Sequence, residues 1–352
     1  MRPLSVLCEL TYRCNLQCPY CYNPVTLREY RDELSTQEWY RILEDAAALG
    51  VVQAHFSGGE PTLRRDLAPL VGFASRVGLY TNLITQGTFL DDARLDELLA
   101  SGLDHVQISI QAPEAELADR IAGAVAHEKK LDAIRRVLER DVALTLNCVL
   151  HRHNHHAVGD IIAFAERFGI TRLELANVQF YGWAYRNRAA LMPTLEQVRR
   201  AESIVAAARE RLRGKMEIVY VLPDYFGEFP KPCMNGWGSE FMTVTPNGYV
   251  LPCPAAAAIT TLRFENVRAR SLGDIWESSD SFQRYRGTGW MREPCRSCER
   301  REVDWGGCRC QAFLLAGDAG VTDPACSFSP DHSIVIALRE GSEQNVPVPR
   351  RA

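Results

Sequence analysis

Cys14, Cys18 and Cys21 fall within one eight-residue stretch, with three residues between the first pair and two between the second. A loop of that length can curl until all three sulfurs face one metal centre, and thiolate is the ligand that iron–sulfur chemistry selects. Three protein ligands on a four-iron cube leave one iron open, as a reacting centre requires. A structural site would more naturally close itself with a fourth ligand. The plain alternatives are a zinc site short of one ligand, or chance clustering.

The elements that must position this loop alternate along the chain. A strand over 4–10 delivers the chain to it. Ser35 and Glu38 form a capping box for a helix that carries Trp39, Ile42, Leu43 and Ala46 and stops at Gly50. Strands over 51–56, 79–85, 105–110, 144–150 and 172–176 follow, separated by helices over 66–77, 91–101, 113–140 (a helical pair) and 157–168. Strands spaced by helices predict a parallel sheet with right-handed crossovers. Six such units make an α/β fold, a partial (β/α)6 TIM-like barrel, with its active site at the C-terminal ends of the strands. Candidate polar groups fall there: the cysteine loop, Ser57-Gly58-Gly59-Glu60, Thr85-Gln86-Gly87, Ser109 and Gln111, Asn147 and His151, and the stretch from Gln179 to Trp183. Two glycines let a backbone approach a ligand closely, and the Glu60 carboxylate could bind a ligand ammonium. His151, His153, Tyr181 and Trp183 sit at the expected mouth, as rim or packing residues or as substrate contacts.

A helix over 194–213, a strand over 216–222 and a Pro-, Gly- and aromatic-rich linker over 223–232 lead to a region of different character. Cys233 and Cys253 flank two strand patterns joined by Pro246-Asn247-Gly248, a hairpin that folds the two thiols together. Cys295, Cys298, Cys308, Cys310 and Cys326 follow. Zinc ribbons and iron–sulfur clusters both fit this pattern, and in either case so short a region with little apolar patterning needs metal to fold. Cys8 and Cys148, inside apolar strands, read as core residues.

The 352 residues hold 40 Lys and Arg against 44 Asp and Glu, a net charge of −4 with a pI near 6.1, which argues against nucleic acid as a partner. No apolar run reaches the length of a membrane span, and the N-terminus lacks the pattern of a signal peptide. A cytoplasmic, non-membrane protein is expected. Twelve cysteines, clustered in such a chain, favour metal binding under reducing conditions over disulfides.

With Tyr20 before its last cysteine and Gly58-Gly59-Glu60 one strand later, the loop resembles the signature of the radical S-adenosylmethionine superfamily. The resemblance implies that Cys14, Cys18 and Cys21 hold a catalytic 4Fe–4S cluster whose open iron chelates S-adenosylmethionine. Tyr20, Ser57, Gly58, Gly59, Glu60, Ser109 and Asn147 are then the expected cofactor-binding residues. Residues from Cys233 onward are similar to the SPASM extension, which carries auxiliary clusters. Asp304 stands where that pattern has a cysteine. With Cys308-Arg309-Cys310 it resembles the peptide cyclases of pyrroloquinoline quinone biosynthesis, across essentially all of 4–329. That likeness implies an auxiliary 4Fe–4S cluster on Cys295, Cys298, Asp304 and Cys326. It implies another, 2Fe–2S, on Cys233, Cys253, Cys308 and Cys310. The sequence departs from this family at Tyr22 and Pro254, where serine and histidine are usual.

The implied reaction joins a glutamate side-chain carbon to a tyrosine ring carbon in a PqqA-type precursor peptide. An adenosyl radical removes hydrogen from the glutamate, and an auxiliary cluster accepts the electron as the ring rearomatises. A separate PqqD-type peptide chaperone and a reductant such as flavodoxin are the implied partners. The expected organisation is a barrel over 1–222, a SPASM domain over 223–330 and a disordered tail over 331–352. A related maturase making a thioether or another carbon–carbon crosslink, an anaerobic sulfatase-type maturase, and a non-catalytic zinc protein remain alternatives.

Overall fold

The computed structural model describes residues 2–341 and 346–350. Its first half alternates β1 Ser5–Thr11, α1 Thr36–Ala48, β2 Gln53–Gly58, α2 Leu67–Arg76, β3 Tyr80–Thr85, α3 Asp92–Ala100 and β4 His105–Ile110. It continues with α4 Ala115–Ala122, α5 His127–Glu139, β5 Ala143–Leu150, α6 Val158–Arg167 and β6 Arg172–Asn177. Two short helices, α7 Gly182–Arg186 and α8 Arg188–Leu191, precede the long α9 Leu195–Arg211 and β7 Glu217–Val221. Strands β1 to β7 pair in chain order, all parallel. This is the expected partial barrel, with a seventh parallel strand laid along β6.

Side chains alternate between two environments, as the strand period requires. Phe56, Leu83, Ile108, Leu146, Cys148 and Leu175 are fully buried in the main core with Leu43, Leu70 and Ile134 of the helix layer. Their neighbours His55, Asn82, Gln107, Ser109, Asn147 and Glu174 line the inside of the curved sheet. Cys8 and Cys148 are core residues, as read from the sequence. The capping box at Ser35 and Glu38 is present, and Arg268 from the far end of the chain pairs with Glu38 at 2.6 Å. That ion pair holds the Glu38 carboxyl at about 2, below its ordinary range.

The hairpin formed by β8 Phe241–Val244 and β9 Val250–Leu251 is also present, but it is not confined to the cysteine-rich region. β8 pairs in parallel with β1, from Ser5 opposite Phe241 to Cys8 opposite Val244. One sheet therefore runs in the order β7-β6-β5-β4-β3-β2-β1-β8-β9. Alternation marks a strand without naming the edge it will join. The remaining helices are α10 Leu272–Ser278, α11 Asp280–Gln283, α12 Arg309–Ala316 and α13 His332–Glu340.

The disordered tail is a correction. Helix α13 lies within it and buries Val335, with Leu338 alongside, against Phe180, Leu191 and Tyr225. Two apolar residues three apart suffice to dock a short helix on a preformed surface. Residues 346–350 lie against the barrel mouth, where Arg350 is buried. Residues 342–345 and 351–352, also assigned to that tail, lie outside the described residues. No helix among the described residues is long and apolar enough to cross a membrane.

Candidate active site

A cavity of about 550 Å³ opens at the C-terminal ends of the strands, where the fold was expected to place the site. Cys14, Cys18 and Cys21 all line it, with Tyr20, Ser57, Gly58, Gly59, Ser109 and Asn147. The two departures from the family pattern, Tyr22 and Pro254, are on its wall as well.

The cysteine loop is clamped from several sides. Gln17 N–H donates to Ala122 O at 2.8 Å, closing α4 onto the loop. Gln86 Nε2 donates to Asn15 Oδ1 at 2.8 Å, Ala184 N–H to Cys21 O at 3.2 Å, and Asn187 Nδ2 to Pro19 O at 2.9 Å. Two glycines make the closest approaches possible. A Cβ on Gly58, whose φ is +124°, would sit 2.2 Å from Thr11 O. One on Gly182, at φ +51°, would sit 2.1 Å from Asn23 O. No L side chain fits either position.

Glu60 has a different place from the one expected. It is fully buried and does not line the cavity. Its Oε1 accepts from Thr62 N at 3.0 Å, the Thr62 hydroxyl, and Thr85 Oγ1 at 2.7 Å. Its Oε2 accepts from Gln86 N at 2.9 Å. The turn's backbone is also engaged: Gly59 N–H donates to Thr11 O at 2.6 Å and Glu60 N–H to Arg13 O at 2.8 Å. The carboxylate is thus the post that ties the turn to the end of β3. The close approach that the glycines permit is to the strand leading into the cysteine loop.

Burial pushes all three loop thiols up, Cys21 to about 12. Thiols so placed become ligands only where a cation replaces their proton. Two buried cations already work in that direction. Lys130 of α5 is 1% exposed and its Nζ reaches Ser109 O at 3.0 Å and Gln111 Oε1 at 2.7 Å. Its charge opposes the desolvation of Cys18, and that of Arg350 acts on all three cysteines. Sequence reading missed both. Lys130 had a signal, since it sits with Ala133, Ile134 and Val137 at the spacing of a buried helix face. Gln111 Nε2 in turn donates to Tyr20 OH at 2.9 Å.

His151 is fully buried and packs behind Tyr20, ring centroids 5.4 Å apart and planes tilted by 33°. Burial lowers it to about 3, so it is neutral. With His153 it lines a separate cavity of about 610 Å³. Trp183 is packed in, and Tyr181 turns away from the mouth to reach Cys308 Sγ at 2.9 Å.

The C-terminal cysteines gather in two sets. Cys308 lies within sulfur hydrogen-bond reach of Cys233 and Cys310, and Cys310 within reach of Cys253. Cys308 caps α12, accepting from Gln311 N at 3.5 Å. Hydrogen bonds from Cys233 and Cys310 first, and then from Tyr181, hold the Cys308 thiol well below the ordinary range. Cys295, Cys298, Asp304 and Cys326 line one small cavity. Asp304 accepts there from Gly306 N at 3.1 Å and faces Arg300 at 3.4 Å. Buried Asp323, which the sequence did not single out, accepts from Cys308 N at 2.7 Å and from Gln311 Nε2 at 2.8 Å. Among the described residues no three such side chains close to the spacing of a single metal ion. The protein ligands of an iron–sulfur cluster are distributed over two or more irons, a wider spread than one metal ion needs, and the two C-terminal sets and the open loop fit that arrangement.

Sheet, cavity and cysteine loop together define the class: a radical S-adenosylmethionine enzyme with a C-terminal iron–sulfur cluster-binding domain. Residues 8–165 match the Radical SAM superfamily and 233–299 the SPASM iron-sulfur cluster-binding domain. Within that class the chain belongs to the PqqA peptide cyclase family. The PqqA peptide cyclase of Rhodopseudomonas palustris is 56% identical over 340 residues, 96% of this chain and 90% of that one. That of Streptomyces rochei is 54% identical over 351 residues, 99% and 96% of the two chains. Among solved structures, Streptococcus suis SuiB bound to S-adenosylmethionine shares the fold with a TM-score of 0.73 at 18% identity, covering 92% of this chain and 77% of that one. Native anSMEcpe with bound AdoMet does so with a TM-score of 0.65 at 16% identity, covering 96% of each chain.

Proposed function

We propose that this enzyme forms a carbon–carbon bond between the glutamate and tyrosine side chains of a PqqA-type precursor peptide in pyrroloquinoline quinone biosynthesis. The observation that carries the reading is the convergence of Cys14, Cys18 and Cys21 with Gly58 and Gly59 on one cavity at the strands' C-terminal ends. The names of its relatives supply the peptide. Cys14, Cys18 and Cys21 would hold the catalytic 4Fe–4S cluster, and Tyr20, Ser57, Gly58, Gly59, Ser109 and Asn147 would bound the S-adenosylmethionine site. Cys295, Cys298, Asp304 and Cys326 would hold one auxiliary cluster, and Cys233, Cys253, Cys308 and Cys310 the 2Fe–2S one. S-adenosylmethionine on a reduced cluster supplies the 5′-deoxyadenosyl radical that starts the reaction.

The chain's own residues orient and exclude. Tyr20, braced by Gln111 and His151, covers one side of the loop, while Glu60 fixes the turn opposite without entering the cavity. The segment 181–184 joins two sites, with Ala184 on the Cys21 carbonyl and Tyr181 on Cys308. It would hold the loop site and the auxiliary site in fixed relation when their clusters are bound. A barrel over 1–222 carrying a SPASM domain over 223–330, a PqqD-type chaperone, a flavodoxin-like reductant and a cytoplasmic setting belong to the same reading.

The test is anaerobic incubation of the enzyme with S-adenosylmethionine, dithionite, a PqqD-type chaperone and a PqqA-type peptide. The expected product is lighter by two hydrogens, with fragmentation locating the new bond between Glu and Tyr. S-adenosylmethionine cleavage that leaves the peptide mass unchanged would overturn the substrate. A sulfur-linked product would favour the thioether maturases.

A further inference from the structure

Beyond α13 the described stretch Val346-Pro347-Val348-Pro349-Arg350 is held tightly. Two prolines fix the backbone in an extended form with little entropy left to lose. The residue between them, Val348, pairs with one side chain through both its polar groups. Its N–H donates to Asn187 Oδ1 and its carbonyl accepts from Asn187 Nδ2, each at 2.8 Å. The same Asn187 amide also holds Pro19 O in the cysteine loop. Arg350 N–H donates to Gln17 O at 3.0 Å, and Arg350 Nη2 to Tyr12 O. The strap is therefore fastened to carbonyls just before, within and beside the cysteine loop.

Arg350 is 3% exposed, and its Nε has no partner among the described residues. Among the described residues its side chain has one acceptor, the neutral carbonyl of Tyr12. A buried cation in that state is costly and calls for an anion. Arg350, like Cys14 and Leu16 of the loop, lines two cavities at once: the one that holds Cys14, Cys18 and Cys21, and an outer one of about 630 Å³ against Arg13, Asn15 and Glu33. Val346, Pro347 and Pro349 wall the cavity of His151 and His153. Strap and cysteine loop together form the partition between these spaces.

We propose that residues 346–350 complete the wall of the radical cluster site and that Arg350, alongside Lys130 of α5, compensates the cluster's charge. This rests on the reading of Cys14, Cys18 and Cys21 as ligands. A cube held by three thiolates is anionic and gains a further negative charge on reduction. A fixed buried cation beside it stabilises the reduced state, since net charge and solvent exposure set such potentials. The prolines and Asn187 position that charge and keep water out. Arg350 is a positioning residue, not a catalytic one.

The test uses full-length enzyme, with EPR-monitored redox titration of the loop cluster in the absence of S-adenosylmethionine. The spectrum of a Cys14→Ala/Cys18→Ala/Cys21→Ala variant is subtracted to remove the auxiliary clusters. If that variant's spectrum equals wild type, the ligand reading itself fails, apart from anything Arg350 does. Arg350→Gln is expected to make reduction about tenfold less favourable, close to 59 mV more negative for one electron, and to speed loss of the loop cluster in air. Arg350→Lys should stay near wild type. Val348→Pro, which removes the N–H that docks the strap, should reproduce Arg350→Gln. Wild-type potential and air stability in both Arg350→Gln and Val348→Pro would overturn the proposal. If Arg350→Gln loses the loop cluster during purification, its retention in Arg350→Lys supports charge compensation, and equal loss in both overturns it.

Discussion

Replacing Glu60 with alanine would leave the Thr85 hydroxyl, the Thr62 amide and hydroxyl and the Gln86 amide without their shared acceptor. Buried donors stripped of a charged partner destabilise by on the order of 3 kcal/mol. Glu60→Ala should therefore lower the denaturation midpoint and weaken S-adenosylmethionine binding together. A residue that only touched the ligand would change binding and leave the midpoint alone. Glu9 makes a second prediction. Burial, against hydrogen bonds from Tyr12 and Tyr22, raises its carboxyl from 4.5 to about 7. Between those values the folded chain keeps a proton that the unfolded chain releases, so stability falls as pH rises, by up to about 3 kcal/mol. Anaerobic denaturation at pH 5 and pH 7.5 should show that loss in wild type and a smaller one in Glu9→Gln. At this scale the thiols were legible because cysteine is rare and its spacing is specific. The supporting charges were not: Glu9, Lys130, Asp323 and Arg350 are ordinary surface residue types, and only packing reveals that they are buried.

The elements were legible wherever one periodicity dominated. The alternation of strand and helix from β1 to β6 and the capping box of α1 follow from local patterns that the packed chain keeps. Pairing between distant segments left no such trace, so the parallel join of β8 to β1 and the docking of α13 came from the structure alone. The loop after β6 shows the same limit. Tyr181 and Trp183 sit after a strand, where position alone fits rim, packing or substrate-contact residues; Trp183 is packed in and Tyr181 reaches Cys308 of the auxiliary region. A hydrogen bond to a cluster thiolate stabilises its reduced form. Tyr181→Phe should thus move the potential of the cluster proposed on Cys233, Cys253, Cys308 and Cys310 to a more negative value and leave the loop cluster's unchanged. An EPR redox titration that finds both potentials at wild type would remove Tyr181 from that role.

Across the whole molecule, β1 is the element the two iron–sulfur regions share. Its C-terminal end opens into the cysteine loop, and its other edge carries β8, whose hairpin leads on to Cys253. The auxiliary region is thus built onto the barrel's own sheet, and segment 181–184 and the strap 346–350 close over the same loop from elsewhere in the chain. Everything converges on Cys14, Cys18 and Cys21, so the decisive measurement concerns them. Purified anaerobically and given dithionite and S-adenosylmethionine, the wild-type enzyme should release 5′-deoxyadenosine. The Cys14→Ala/Cys18→Ala/Cys21→Ala variant should release none, while losing the iron of one 4Fe–4S cluster and keeping the rest. Release of 5′-deoxyadenosine by that variant at the wild-type rate would contradict the assignment of the loop as the reactive centre.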